Sequence, residues 1–449
     1  MASSTPTTAG DPARSAQAAH LALPTPTAWR NITKHPLLFP YNRLIALVLL
    51  VNLLVLVQSG TYATASDAVL ANLTLAVLIR QPRVWNFVFS LARRLPDSWP
   101  LWIRGAAAKV YHMGGLHVGA GISAMIWYIF FTVDLTKQAA GHQLPARLTA
   151  VLFVSYVQAA LLLAIVVLAL PAIRRRWHDL FERSHRFAGW FSLLLFWVQT
   201  LLSSWEPRDG QAVWMVLLST PQLWVLLVCS ASVASSWTRL RKVRVSVSRP
   251  SSHAALLRFD YGWTPFNGSS AFLSRSPLKE WHAFAGIDVQ QGAGYRIMVS
   301  RAGDWTSRLI DNPPDTLWVK QIAIRGMASV ESLFNRVLFV ATGSGIGPTL
   351  THLVSRPRDR PMALVWVTRT PRQIYGDDLV DEILSLVPDA LIVDTAAQGK
   401  PDVVALAYRA ARDFRADGVI CVANKKVTWD VVHGLESRGI AANGALWDS

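Results

Sequence analysis

The residues best suited to chemistry form one short run. Residues 336–348 read RVLFVATGSGIGP, a β-branched apolar stretch that breaks into Gly343-Ser344-Gly345-Ile346-Gly347-Pro348. A strand opening into glycines lets backbone N–H groups approach an anion closely, and a helix starting there adds its positive end. The pyrophosphate of a dinucleotide is the anion that such a turn suits. Few other groups compete with it. The two cysteines, Cys229 and Cys421, are too few for a CxxC metal site or a disulfide framework.

The elements that must carry this turn fall into two halves. Of 449 residues, 52% are hydrophobic and only 16% charged, which is more apolar than an average soluble protein. The net charge of +16 comes from Lys and Arg clustered beside apolar segments. Membrane orientation accounts for that pattern, so no nucleic-acid partner is expected and membrane lipid is. Residues 1–40 are read as a disordered tail, rich in Ala, Ser, Thr and Pro near the start and without the basic start and apolar core of a leader. Six apolar segments follow, at 44–59, 67–79, 112–133, 148–170, 187–205 and 213–231. Most are about long enough to cross a hydrocarbon core of roughly 30 Å. Between the second and third, residues 81–109 mix Trp, Phe, Leu and Arg and are expected to lie along the interface.

The connections alternate in charge. Arg30, Lys34 and Arg43 precede the first segment, and 60–66 has no Lys or Arg. Six cations between Arg80 and Lys109 come next, then only Lys137 and Arg147. Arg174, Arg175, Arg176, Arg183 and Arg186 follow, then Arg208 alone, then Arg239, Arg241, Lys242 and Arg244. That alternation puts both termini in the cytoplasm.

The texture changes after residue 239. Val243–Ser248 alternates with period two, and strand candidates recur at 255–260, 281–288, 295–300 and 316–324, which suggests a small β-barrel. From 337 onward strands alternate with helices, the mark of a parallel α/β sheet. The expected architecture is a multi-pass α-helical membrane domain of six spans (41–237), a β-barrel (239–330) and an α/β nucleotide-binding domain (333–449).

A barrel followed by an α/β lobe, with a Gly-rich turn after its first strand, resembles the ferredoxin–NADP reductase superfamily. With six spans in front, the chain resembles membrane flavoproteins of the ferric reductase and NADPH oxidase type. It is more similar still to a fungal offshoot, the TmpA-like integral membrane proteins, some fused behind adenylating modules. The resemblance implies FAD and NADPH, with NADH as the alternative. Trp281-His282-Ala283-Phe284-Ala285 looks like the family's flavin-contacting His-Pro-Phe-Ser/Thr strand, matched at His282 and Phe284 and departing at Ala283 and Ala285. Gly303, Asp304, Trp305 and Thr306 stand where the family binds the flavin pyrophosphate. Gly343, Ser344, Gly345, Gly347 and Pro348 match its nicotinamide-nucleotide turn. Thr368 and Arg369, with Arg372 as helper, match a pair that holds an adenosine 2′-phosphate; solvated surface arginines are the competing reading. Cys421 falls near the family's Cys-Gly-Pro turn or is a packed small hydrophobe. Trp447 shields the flavin ring or simply packs.

Relatives also carry two histidines on each of two parallel spans. His117 and His185 would start such spans on one side and could ligate one inner haem b; hydrogen bonding between spans is the alternative. The outer pair is missing, since Gln199 and Phe131 stand fourteen residues on. Electron export to the far side is therefore not expected. The resemblance implies a membrane-bound NAD(P)H oxidoreductase in the plasma membrane or an endomembrane, with a small-molecule or lipophilic acceptor and a place in fungal secondary metabolism or developmental signalling. The lost motif residues favour a second reading, a non-catalytic scaffold or sensor on a degenerate flavoprotein fold.

Overall fold

The computed structural model describes residues 23–59, 61–140, 145–204, 212–289, 294–357 and 359–444. The N-terminal half is helical: α1 (Pro40–Ser59), α2 (Tyr62–Leu78), α3 (Pro82–Arg93), α4 (Gly114–Ala139), α5 (Ala146–Leu168), α6 (His178–Ser204), α7 (Val213–Ser219) and α8 (Pro221–Ser235). Among the described residues, four helices are long and apolar enough to cross a membrane, or up to six if each bent pair counts as one span. The bent pairs are α2 with α3, at 76°, and α7 with α8, at 70°. Pro82 and Pro221 sit at the two breaks, where a proline suits the first turn of the helix that follows.

Leu47, Leu50, Val51, Leu53, Leu54 and Val57 on α1 are more than half exposed. The polar side chains instead turn inward and pair. Asn52 exchanges hydrogen bonds with Asn72 and accepts one from Trp127. Gln158 pairs with Ser192. Outward apolar and inward polar surfaces invert the pattern of a water-soluble bundle and satisfy polar groups where water would be scarce. At Gly115 a Cβ would overlap the Tyr41 carbonyl, so α4 packs backbone to backbone on the start of α1.

Two four-stranded antiparallel sheets follow, with orders β1-β8-β4-β5 and β2-β3-β7-β6. The strands are β1 (Leu240–Arg244), β2 (Ser246–Ser248), β3 (Ala254–Phe259), β4 (Ser269–Ser274), β5 (His282–Ala285), β6 (Ile287–Asp288), β7 (Tyr295–Ser300) and β8 (Thr316–Arg325). The chain passes from one sheet to the other at Val245 and again at Gly286, so both sheets close over one core with Leu257, Leu273, Ile297 and Val319. Helix α9 (Asp304–Asp311) plugs one end with Trp305, Leu309 and Ile310.

The C-terminal lobe is a parallel sheet of β9 (Val337–Thr342), β10 (Met362–Thr368), β11 (Leu391–Asp394), β12 (Gly418–Val422) and β13 (Ala442–Gly444), in the order β11-β10-β9-β12-β13. Helices α10 (Ile346–Ser355) and α11 (Asp377–Leu386) cover one face, and α12 (Val403–Asp413) and α13 (Lys425–Glu436) the other.

Two segments depart from the sequence expectations. Residues 23–40, read as part of a disordered tail, form short helices at Ala28–Thr33 and Pro36–Leu38 and lie on α13. Lys34 reaches Glu436 at 3.7 Å, and Phe39 enters the lobe's core. Residues 81–109, expected along a membrane surface, are built into the soluble half. Trp85, Val88 and Phe89 join its core, and Phe87 and Leu91 stay exposed on the other side of the helix. One side of the segment therefore docks on a protein core, and Phe87, Leu91 and Trp102 on its outside remain exposed. Phe89→Ala should lower stability by about 3–5 kcal/mol, whereas Phe87→Ala, at a side chain 66% exposed, should leave the melting temperature of the detergent-solubilised protein unchanged. Equal shifts in the two variants would show that α3 is not docked.

Candidate dinucleotide site

In the parallel sheet, chain order reverses between β9 and β12. Open α/β sheets take ligands outside the carboxyl ends of the strands at such a switch point. The Gly343–Gly345 turn stands there, directly after β9. Gly343 turns the chain at φ +49°, a conformation that favours glycine. At Gly345 a Cβ would overlap the Val422 carbonyl of β12. No side chain caps α10, and Pro348 in its first turn has no N–H. The Ile346 amide donates back to the Gly343 and Ser344 carbonyls, so the amides that an anion would meet are those of the glycines of the turn.

Two aromatic residues that the motif did not single out hold the turn. Trp366 Nε1 donates to the Gly343 carbonyl at 3.0 Å, and its ring stands 5.2 Å from that of Tyr375. Both were hidden in the run VWVTRTPRQIY, where only the hydroxyl and guanidinium types drew notice. Burial pushes the Tyr375 phenol above its ordinary pKa, opposed by hydrogen bonding to Thr368. Thr368 is itself buried and engaged in this way, so of the predicted phosphate pair only Arg369 is exposed. Arg372 is taken by Asp377 at 2.9 Å and Asp381 at 2.7 Å. Ser344 is exposed at the turn's tip, and Gly347 packs against Met298 of β7, which brings the antiparallel sheets beside the turn.

Next to this junction the structure brings together His282, Phe284 and Trp305. The Trp305 ring lies 4.3 Å from His282 and 5.7 Å from Phe284, nearly parallel to the latter. It lies against both matched side chains of the strand that the resemblance assigns to flavin contact. His282 Nε2 and Trp305 Nε1 are both buried without a hydrogen-bond partner. Two unmet polar atoms fit a ligand with hydrogen-bonding groups, and Trp305 is the surface its ring would meet. Burial lowers the His282 pKa, keeping the imidazole neutral. Gly303 begins α9, where the Thr306 hydroxyl accepts from the Ala302 and Gly303 amides at 3.0 Å, so that hydroxyl is occupied within the turn. Asp304 opens the helix beside it.

Cys421 is placed elsewhere. Its thiol is fully buried in the core under α12 and α13, and burial pushes its pKa up to about 12. It behaves as a small hydrophobe there. Trp447 lies outside the described residues.

His117 and His185 do meet, with ring centroids 6.0 Å apart. His117 Nδ1 lies 2.8 Å from the Ala76 carbonyl. A carbonyl only accepts, so Nδ1 carries the proton and Nε2 keeps its lone pair. His185 Nδ1 is buried without a partner. At the expected outer position the space is filled. Tyr128 donates to Gln199 at 2.7 Å, and Gln199 to Ser155 at 3.1 Å. No group of three or more metal-ligating side chains occurs among the described residues.

The site thus consists of a parallel α/β lobe, with a glycine-rich turn at its switch point, docked on an antiparallel β domain. Residues 327–449 match the family described as adenylate-forming reductase 03009, C-terminal domain. Adenylate-forming reductase 03009 of Coprinopsis cinerea is 42% identical over 427 residues, 94% of this chain and 41% of that protein. Adenylate-forming reductase 06235 of the same organism is 39% identical over 426 residues, with the same coverage. The chain therefore spans about two fifths of the length of these relatives. Among solved structures, the ferredoxin NADP+ reductase from Neisseria gonorrhoeae with bound FAD and NADP is similar at 14% identity and a TM-score of 0.38, over 46% of this chain and 98% of that one. The ferredoxin reductase in carbazole 1,9a-dioxygenase is similar at 16% identity and 0.36, over 46% and 70%.

Gly345→Ala should force β12 away from the turn and abolish retention on an adenine-dinucleotide affinity resin, whereas Ser344→Ala, at the exposed tip, should bind as the parent does.

Proposed function

We propose that this chain is a membrane-bound, flavin-dependent NAD(P)H oxidoreductase, and that within a longer adenylate-forming reductase it would form the reducing part. The observation that carries the reading is the uncapped Gly343–Gly347 turn at the sheet's switch point, set against the barrel at Met298. FAD, when bound, supplies the hydride-accepting and electron-relaying chemistry. The chain's residues position the donor. The turn's amides would hold the pyrophosphate, and Trp366 and Tyr375 keep the turn in shape. Arg369 would take a 2′-phosphate with its planar fork. His282 and Trp305 offer their unmet polar atoms to the flavin.

In this reading the apolar helices span the plasma membrane or an endomembrane with both termini cytoplasmic. One haem b between His117 and His185 is favoured by the fixed Nδ1 proton, because a metal-bound imidazole ordinarily donates its other N–H to a carbonyl or carboxylate. The Tyr128–Gln199–Ser155 network leaves no second relay among the described residues, so the acceptor would be a lipophilic molecule or partner reached from the cytoplasmic side. The closed Trp305–Phe284 face favours the second reading, a scaffold on a degenerate flavoprotein fold.

Purified protein should absorb near the flavin maximum and bleach on addition of NADPH; a colourless preparation after mild extraction would leave only the scaffold. Arg369→Ala should raise KM for NADPH about 10–100-fold, the worth of one charge-assisted contact, with KM for NADH unchanged. Equal effects on both would remove the 2′-phosphate role.

A further inference from the structure

A second cleft of about 250 Å3 lies apart from the dinucleotide turn and shares no residue with it. Arg83, near the start of α3, and Arg239, just beyond α8, stand on its rim, and Trp263, Phe266 and Ile322 form its apolar walls. None of its lining residues is acidic. Both arginines are exposed, and neither makes an ion pair among the described residues. A third cation stands behind the wall, with the Arg325 guanidinium 4.5 Å over the Phe266 ring. Its Nε is buried and has no hydrogen-bond partner. Burial and nearby Arg93 lower its pKa to about 10. Two exposed guanidinium groups line the cleft, a third stacks on its Phe266 wall, and no carboxylate lines it, so an anion would relieve the positive charge there.

We propose that this cleft binds a phosphate headgroup, with Arg83 and Arg239 on the anion and Trp263 and Phe266 against its carbon skeleton. The volume decides the size class, being below the roughly 300–1,000 Å3 of drug-sized ligand sites. It suits a headgroup and not a whole dinucleotide. The arginines mark where apolar helices give way to soluble structure, so the phosphate belongs to a lipid. The lipid source rests on the membrane reading above; the anion chemistry does not.

The test uses the full chain in detergent, titrated with dioctanoyl phosphatidic acid, dioctanoyl phosphatidylcholine and inorganic phosphate, and followed by native mass spectrometry. Phosphatidic acid should bind saturably and in preference to phosphatidylcholine. Arg83→Gln with Arg239→Gln should weaken it at least about tenfold at an unchanged melting temperature, since neither side chain has a partner to lose. Inorganic phosphate that competes on equal terms would overturn the lipid source and support the anion site alone. Equal binding by parent and double variant would overturn the site. Flavin absorbance measured on the same preparation separates the two readings, because a colourless protein that still binds phosphatidic acid sinks only the enzyme.

Discussion

The segment between α2 and α4 is the constraint on which the rest depends. Phe89 is fully buried in a core that also holds Phe334, Phe339 and Trp366 of the soluble half. Around it two of the segment's cations are taken up by backbone carbonyls. Arg104 donates to the Leu333 carbonyl at 2.7 Å, and Lys109 to that of Ala442 while pairing with Glu436 at 2.6 Å. Trp85 and Asn86 tie to Arg325 and Ala323 on β8. Charged groups in such places are tolerated because each finds carbonyls or a carboxylate, and removing one partner would strand the other. The helical half and the sheet half are thereby one packed body.

That packing determines what the site can be. The antiparallel sheets and the α/β lobe approach closely enough for Met298 to touch Gly347. On the other flank of the antiparallel sheets, α6 grips the approach to β5. Glu182 accepts from the Trp281 amide at 3.3 Å, and Arg186 donates to the Lys279 carbonyl at 2.9 Å. Lys320 sits 4.5 Å from both the Trp237 and Trp281 rings, and burial among them lowers its pKa to about 8. A strand carrying His282 and Phe284 is thus fixed against the helix that carries His185. The distance between the glycine-rich turn and the helices is set by side-chain packing and not by a free linker.

Much of this was legible in the chain, because some local rules need no partner. The Gly-rich turn announced itself through the glycines a tight, close-approaching turn requires. Strand–helix alternation after residue 337 pointed to the parallel sheet, whereas VRVSVS, which reads as one strand, is divided at Val245 between β1 and β2 in different sheets. Other elements were not legible. β4 reads SSAFLS, too polar and too short to stand out, and becomes a strand because β8 and β5 flank it. β13 is three residues long and exists only as the edge partner of β12. Residues 23–40 lack the apolar periodicity that would have announced a docked segment.

By itself the sequence determined which residue types were available: an anion-seeking turn, apolar helices with alternating flanking charge, and histidines at the base of two of them. Residue type is written in the chain, and so is local period. Only the tertiary structure decided how those groups were used. It turned Thr368 inward to Tyr375, spent Arg372 on two aspartates, laid Trp305 over Phe284 and sank Cys421 into a core. Each outcome depends on a neighbour far away in sequence, and a side chain's chemistry is free only where no such neighbour has claimed it.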